Sequence, residues 1–223
     1  MEERFFSLSD YYELSAIAWR FPSRELSRGL YDGSFIADLT ACLEELGFAP
    51  ARDEGQRLRE AVEKDAQGSE ETLFDALRTD YTVLFLVPRK EKVYLYESLF
   101  RYPKDDNLKD YSMFVSPCAL HAEQCYRRAG LAVKSSVREP ADHYATELEF
   151  CAHLYKLAGG EPENAAWQEQ AAEFRRTHLN KWQKAFLAAV EENAQTETYR
   201  ALARLGGAVC DALPEQPGPA EEA

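Results

Sequence analysis

The sequence has 223 residues, which is enough for one large domain or two small ones. Hydrophobic residues make up 45% of the chain and charged residues 29%, a composition that excludes a disordered protein and fits a globular one. Lys and Arg number 26 against 39 Asp and Glu. The net charge of −13 argues against a nucleic-acid-binding protein and favours basic partners.

The sequence shows no targeting or membrane segment. No apolar run approaches the roughly 20 residues that span a bilayer. Residues 1–6 (MEERFF) begin with two acidic side chains directly after the first residue and do not resemble a signal peptide. Five cysteines occur without a Cys-x-x-Cys pair, which predicts reduced thiols. We therefore expect a cytoplasmic protein.

Apolar residues at helical spacing run through the first third of the chain. Capping residues predict where these helices begin, and Pro or Gly predicts where they end. In chain order, helices are expected from Ser9 and Asp10 to Pro22, over residues 23–31, from Ser34 to Gly47, over residues 50–67, and from Ser69 to about Phe85.

Residues 88–117 have a different character. They contain three prolines, a mixed-charge stretch at residues 89–92 and several aromatic side chains. A connection of this length is uncommon in a compact domain unless it has a role of its own. We expect a functional or partly mobile loop here.

The remainder of the chain is again predicted to be helical. Helices are expected from Ser116 and Pro117 to Gly130, from Pro140 to Leu157, from Pro162 to about Glu192, and from Thr196 or Thr198 to just before Pro214. Internal repeats and alternating strands are not found. The pattern predicts an all-α, single-domain bundle of about nine or ten helices over residues 1–213, followed by a disordered tail over residues 214–223.

The common motifs of catalysis are missing from the sequence. It contains no phosphate-binding glycine loop, no G-x-S-x-G and no Glu-x-x-His pair. Cys118, His121 and Cys125 share a helix face and could supply three zinc ligands, but no fourth is specified. A half-buried helix face is the favoured interpretation. We expect no enzyme activity, no cofactor and no metal.

The start of the helix near residue 140 has unusual chemistry. Residues 139–150 contain four acidic side chains and no Lys or Arg. Asp142 complements the helix dipole, and His143 lies beside it with Glu147 four residues on. Two interpretations are open: a capped helix with a solvated acidic face, and an exposed polar anchor for a basic peptide.

An aromatic set suggests a second surface. Tyr81, Leu84, Phe85, Tyr94 and Tyr96 could form the floor of a groove that receives a peptide segment. Such residues are more often part of a core, and the adjoining long loop is what favours a groove.

Four segments, in the same order, resemble the TorD/DmsD/NarJ family of molybdoenzyme maturation chaperones, and in particular its TorD-like branch. They are residues 80–85 (DYTVLF) followed by Pro88, residues 96–100 (YESLF), residues 139–143 (EPADH) with 147–150 (ELEF), and residues 174–182 (FRRTHLNKW). The third segment is the most specific, and the four together span residues 80–182.

The resemblance implies an all-helical chaperone without a cofactor of its own. Members of this family bind the twin-arginine signal peptide, and often the apo-form, of a molybdopterin-dependent oxidoreductase, and hold it until cofactor insertion before export. The peptide-binding residues implied for this chain are Asp142, His143, Glu139, Pro140, Tyr81, Leu84, Phe85, Tyr96 and Glu97. His178 is interpreted as a packing histidine rather than a ligand.

This hypothesis predicts how much polar and apolar contacts each contribute to the affinity for the peptide. Exposed ion pairs contribute only about 0–1 kcal/mol each, so most of the affinity should come from apolar burial. We therefore expect Asp142→Ala to weaken peptide binding modestly and Leu84→Asp to weaken it strongly.

Three alternatives stay open. The first is a NarJ-like assembly chaperone for a molybdoenzyme subunit without a functional twin-arginine leader. The second is a small nucleotide hydrolase, and the third is a helical adaptor with no role in signal-peptide binding. The sequence is compatible with a monomer or a domain-swapped dimer, and no stable membrane insertion or nucleic-acid partner is expected.

Overall fold

The computed structural model describes residues 2–87, 93–102, 116–131, 140–161 and 163–212. These ranges contain eleven α-helices and one π-helical turn, which confirms the all-α prediction. The helices are α1 (Glu2–Trp19), α2 (Arg24–Asp32), α3 (Ser34–Glu45), α4 (Ala51–Ala66), α5 (Glu70–Tyr81), α6 (Glu97–Arg101), α7 (Pro117–Arg128), α8 (Tyr144–Gly160), α9 (Ala165–Thr177), α10 (Leu179–Asn193) and α11 (Glu197–Ala212), and the π turn is Thr82–Leu86.

Side-chain caps begin several helices where the sequence predicts them. The hydroxyls of Ser23, Ser69 and Ser116 each accept the backbone N–H three residues further on, at the starts of α2, α5 and α7. Thr196 does the same at the start of α11. These bonds satisfy N–H groups that have no partner within a helix, which is why short polar residues are reliable start signals.

One predicted boundary in the first half of the chain is wrong. α1 begins at Glu2 rather than at Ser9, because Ser9 lies inside the helix and its hydroxyl donates to the carbonyl of Ala152, 143 residues away. The predicted loop over residues 88–117 stays a prediction, because residues 88–92 and 103–115 lie outside the described residues; its described part contains α6, a helix of five residues.

Two boundaries in the second half also differ. α8 begins at Tyr144 rather than at Pro140. The single helix predicted over residues 162–192 is broken at His178, whose φ of −119° and ψ of −88° are not helical. The side chain of His178 is held by long-range contacts, described below, that spacing along one helix could not indicate.

The helices divide into two compact units. Among the described residues, the first lies within Met1–Tyr12 and Tyr94–Gln183, and the second within Glu13–Val93 and Lys184–Pro214. That residues 1–213 act as one domain stays a prediction, and the predicted tail over residues 214–223 lies outside the described residues.

The first unit is built around α8. This helix packs along α9, and α6 packs on α7. Phe150 of α8 forms ring contacts with Phe174 at 4.7 Å and Tyr126 at 4.6 Å between centroids, and all three side chains are buried. These aromatic contacts position the helices that carry the polar cluster described below.

The second unit has an apolar core to which α4 and α5 contribute buried side chains. α4 packs against α3, α5 and α11. Trp19 and Phe186 meet edge to face at 5.6 Å between ring centroids, and Tyr81 meets Phe85 at 4.8 Å. Such aromatic pairs contribute about 0.5–1.5 kcal/mol beyond the area that they bury.

Two carboxylates of the second unit hold the start of α11. Asp80 Oδ2 accepts the backbone N–H of Thr196 at 2.7 Å and its hydroxyl at 2.7 Å. Asp65 Oδ2 accepts the N–H and the hydroxyl of Thr198 at 2.7 and 2.6 Å. Negative charge is favourable at a helix N-terminus, so both acids stabilise this end of α11.

The described ranges contain no β-strand, and a single antiparallel bridge pairs Tyr96 with His143. Within the same ranges, none of the helices combines the length and the apolar character needed to cross a membrane.

Candidate functional site

Two of the four family-like segments meet at the antiparallel bridge of the first unit. The backbone N–H of Glu97 donates to the carbonyl of Asp142 at 2.9 Å, and that of Tyr144 donates to the carbonyl of Leu95 at 2.8 Å. The rings of Tyr96 and His143 meet edge to face with centroids 5.2 Å apart. The structure thus brings together Tyr96, Glu97, Asp142 and His143.

Asp142 is fully buried, with none of its surface exposed. Its Oδ2 accepts the backbone N–H of Ser98 at 2.9 Å, so this carboxyl caps the first turn of α6 from another part of the chain. Burial raises the pKa of Asp142, although the hydrogen bonds from Ser98 partly offset that effect.

His143 is the N-cap of α8. Its Nδ1 accepts the backbone N–H of Ala145 at 3.2 Å, and 3% of the residue is exposed. The expectation that this helix start is exposed and its acidic face solvated is therefore wrong for both Asp142 and His143. The reason is tertiary: residues 95–97 pair with residues 142–144 and exclude water from both side chains.

A chain of hydrogen bonds runs inward from α6. Nδ1 of His178 lies 2.6 Å from Oε2 of Glu97, and Arg101 pairs with the other carboxylate oxygen. Burial raises the pKa of Glu97, but the contacts with His178 and Arg101 outweigh it, so the pKa lies below its usual value. Because a carboxylate only accepts, Nδ1 of His178 carries the proton.

The second nitrogen of His178 continues this chain. Its Nε2 lies 2.8 Å from Nδ1 of His121, and one of these two nitrogens carries the proton between them. Cys125 Sγ lies 4.0 Å from both ring nitrogens of His121. Burial is the main cause that lowers the pKa of His121 and raises that of Cys125.

Glu147 is a third fully buried acid of the cluster, beside Glu97 and Asp142. Its Oε2 accepts the indole N–H of Trp182 at 3.0 Å, and its Oε1 has no hydrogen-bond partner in the described structure. Burial, followed by the nearby charge of Glu97, raises the pKa of Glu147 well above its usual value. This carboxyl therefore favours its neutral form more than a solvated Glu does.

Two triads of side chains could hold a metal ion, and both include His178. In each triad one ligand atom per residue lies within 4.8 Å of the others. Glu97, Glu147 and His178 form a fully buried triad. His121, Cys125 and His178 form the second, of which the first two are half-exposed.

The other predicted site residues lie elsewhere or have different surroundings. Tyr81, Leu84 and Phe85 belong to the second unit, where their side chains are 4%, 0% and 4% exposed and form part of its core. Tyr96 and Pro140 are half-buried. Glu139 lies outside the described residues.

Sequence reasoning missed the centre of the cluster. His178 is buried and joins α6 and α7 through Glu97 and His121. Its interpretation as a packing histidine rather than a ligand stays a prediction. Its partners lie 81 and 57 residues away, so no local spacing could indicate them. The one available signal was the family-like segment over residues 174–182, which contains both His178 and Trp182.

The sequence matches the family described as nitrate reductase delta subunit over residues 47–188. Three similar curated proteins are named chaperone protein TorD. The one from Shewanella pealeana is 31% identical over 58% of this chain and 55% of its own length, and the one from Shewanella sp. strain MR-4 is 31% identical over 72% and 71%. A third, from Shewanella piezotolerans, is 30% identical over 58% and 56%. The alignments thus span little more than half the length of the first relatives.

A solved structure shares the fold. It is that of a candidate redox enzyme maturation protein from Archaeoglobus fulgidus, with a TM-score of 0.50 and 21% sequence identity, over 91% of this chain and 93% of that one. This likeness shows the helical architecture alone. With the match over residues 47–188 and the relative from strain MR-4, the chain belongs to the nitrate reductase delta subunit family, the TorD/NarJ family, in which these curated relatives are named chaperones.

Proposed function

We propose that this protein is a cytoplasmic chaperone that binds the twin-arginine signal peptide and the apo-form of a molybdopterin-dependent oxidoreductase. It holds that client until the cofactor is inserted and export can follow. The observation that carries the proposal is a buried acidic cluster, Glu97, Asp142 and Glu147, in the same unit as the half-buried Tyr96, in a chain whose curated relatives are named TorD chaperones.

Electrostatics support an arginine-rich ligand. The net charge of −13 attracts a basic peptide over a long range. Oδ1 of Asp142 and Oε1 of Glu147 have no hydrogen-bond partner among the described residues. A guanidinium offers five N–H donors in a fixed plane and is suited to such acceptors.

The burial of Asp142 and His143 gives them a supporting part in this proposal. Tyr96 and Pro140 are half-buried and form the surface that a peptide meets first. Asp142 holds the start of α6, and His143 holds the start of α8 and contacts the ring of Tyr96. A guanidinium reaches Asp142 only if the bridge between Tyr96 and His143 opens.

Titration calorimetry with synthetic twin-arginine leaders from molybdoenzymes of the same genome tests the proposal. We expect one leader to bind near micromolar affinity and to lose binding when both arginines become lysine, because Lys cannot form the bidentate contacts of Arg. Tyr96→Ala should weaken the binding about tenfold, since a central aromatic contact contributes more than about 1 kcal/mol.

A matched substitution controls for nonspecific loss. Tyr102 follows α6 and is 43% exposed, so Tyr102→Ala should change affinity less than about twofold. Equal loss in the two variants contradicts a site at Tyr96. If no leader binds while the mature apo-enzyme does, the proposal that this protein binds a signal peptide is contradicted.

The family match favours one second candidate. Because the matching family is described as nitrate reductase delta subunit, a NarJ-like chaperone that acts on a subunit without a functional leader is the alternative. Binding to the mature apo-subunit that is insensitive to the arginine pair would favour this candidate.

A further inference from the structure

We propose that His121, Cys125 and His178 form a zinc-binding site that links α7 to the junction of α9 and α10. Two imidazole nitrogens and one thiol sulfur lie within 4.8 Å of one another in the first unit. Imidazole and thiolate are the ligands that Zn²⁺ prefers in proteins. The proposal does not rest on leader binding, although His178 also contacts Glu97 of the acidic cluster.

The spacing of the ligand atoms is close to what zinc requires. A tetrahedral ion with bonds of about 2.0–2.3 Å separates its ligand atoms by roughly 3.3–3.6 Å. The two histidine nitrogens are 2.8 Å apart, and Cys125 Sγ lies 4.0 Å from His121. The third pair, Cys125 Sγ and the His178 nitrogen, lies within 4.8 Å, so side-chain movements of up to about 1 Å bring the three atoms to bonding distance.

The orientation of the His178 ring is the strongest argument for a zinc site. Histidines that bind zinc almost always donate their other ring N–H to a carboxylate or a carbonyl, which fixes the ring and raises its basicity. Nδ1 of His178 donates to Glu97 at 2.6 Å, and Glu97 is itself held by Arg101. The Nε2 lone pair of this buried ring is thereby aimed at His121 and Cys125.

The local helix geometry adds the other two ligands. His121 and Cys125 are four residues apart on α7 and so lie on the same face. Both are half-exposed, which gives an ion from solvent a path to the buried nitrogen of His178. Cys118, the third residue in the sequence-predicted set, is buried beside Arg101 and lies outside the triad.

A tetrahedral zinc ion takes a fourth ligand, which at this site can be water or Glu173. Glu173 is exposed on α9, and its negative charge acts on both His121 and Cys125. Arg128 acts on the same two residues with the opposite charge. We assign the fourth coordination position of the ion to a water molecule and place Glu173 next to that water.

Coordination has a simple proton balance. The Cys125 thiol loses one proton to solvent and binds the ion as a thiolate. In the tautomer in which Nδ1 of His121 carries the proton, that proton moves to its Nε2, and the freed Nδ1 binds the ion. His178 keeps its Nδ1 proton on Glu97 throughout. One proton is therefore released for each Zn²⁺ bound, and no oxidation is involved.

Titration with Zn²⁺ against a chromophoric chelator tests the site on the metal-stripped full-length chain under reducing conditions. We expect one ion per chain, and a thiolate-to-metal charge-transfer band when Co²⁺ is used instead. Cys125→Ser and His121→Ala should each weaken zinc binding at least about tenfold and abolish or shift that band.

Matched variants keep the test specific. Cys210 and His153 are half-exposed like Cys125 and His121 and do not belong to the triad, so Cys210→Ser and His153→Ala should bind zinc like the wild type. Circular dichroism confirms that each variant is folded. Absence of a stoichiometric ion in the wild type, or unchanged binding in both ligand variants, overturns the proposal.

Discussion

The two compact units use buried side chains in opposite ways. In the second unit Leu84, Phe85 and Tyr81 lie in an apolar and aromatic core, where burial itself is favourable. In the first unit Glu97 and Glu147 are equally buried: His178 and Arg101 compensate the lost hydration of Glu97, whereas Oε1 of Glu147 has no hydrogen-bond partner in the described structure. Buried acids are costly to stability, and their presence points to a role other than packing.

The difference also changes the meaning of the predicted peptide groove. The family resemblance implies that Tyr81, Leu84 and Phe85 border the same groove as Tyr96 and Asp142. Leu84 has no exposed surface, so Leu84→Asp tests folding and cannot report on peptide affinity. A clean test of the site must use half-buried residues of the first unit such as Tyr96.

The largest effect is expected at the apolar core. Leu84→Ala should lower the free energy of unfolding by about 2–5 kcal/mol, because it removes a fully buried side chain and leaves a cavity. Denaturant unfolding followed by circular dichroism measures the change. Leu86, which is 52% exposed, supplies the control: Leu86→Ala should stay within about 0.5 kcal/mol of the wild type. Similar losses in both variants would show that Leu84 is not core.

A smaller loss is expected in the polar cluster. Trp182→Phe removes the N–H that reaches Oε2 of Glu147 and leaves a second oxygen of this buried carboxyl without a partner. The expected cost is about 1–3 kcal/mol in the same unfolding experiment.

An equivalent bond at the surface controls for this loss. The indole N–H of Trp167 donates to Glu161 at 3.0 Å in a solvated setting. Trp167→Phe should therefore cost less than about 0.5 kcal/mol, since water replaces the lost donor. Equal costs for the two substitutions would contradict the view that burial makes the Glu147 contact important.

The smallest effect concerns pH. Burial places the pKa of Asp142 above its ordinary value of 3.8, so the folded protein holds this proton more tightly than the unfolded chain. Stability therefore falls as pH rises from 3.8 through the higher pKa of the folded state. Asp142→Asn lacks this contribution, so it should gain stability relative to the wild type between acid and neutral pH. Thermal unfolding across that range measures the difference.

A difference between Asp142→Asn and the wild type that does not change with pH would contradict the raised pKa of Asp142.

Much of the helical fold could be predicted from local signals. Ser23, Ser69 and Ser116 begin helices as expected, because an N-cap acts within three residues of its own position. The start of α1 could not be predicted, since the hydroxyl of Ser9 is satisfied by Ala152 on a distant helix. The same limit applied to the site, where the motifs identified Asp142 and His143 but their burial depends on pairing with residues 95–97.

The sequence by itself determined the helical class, the family-like segments and the acidic charge, because periodicity, motif spacing and composition are properties of the chain alone. Only the tertiary structure decided that Asp142 caps α6, that Leu84 is core and that His178 joins Glu97 to His121. These contacts connect residues 44 to 81 positions apart, and their geometry is set by how helices pack, which no local pattern specifies.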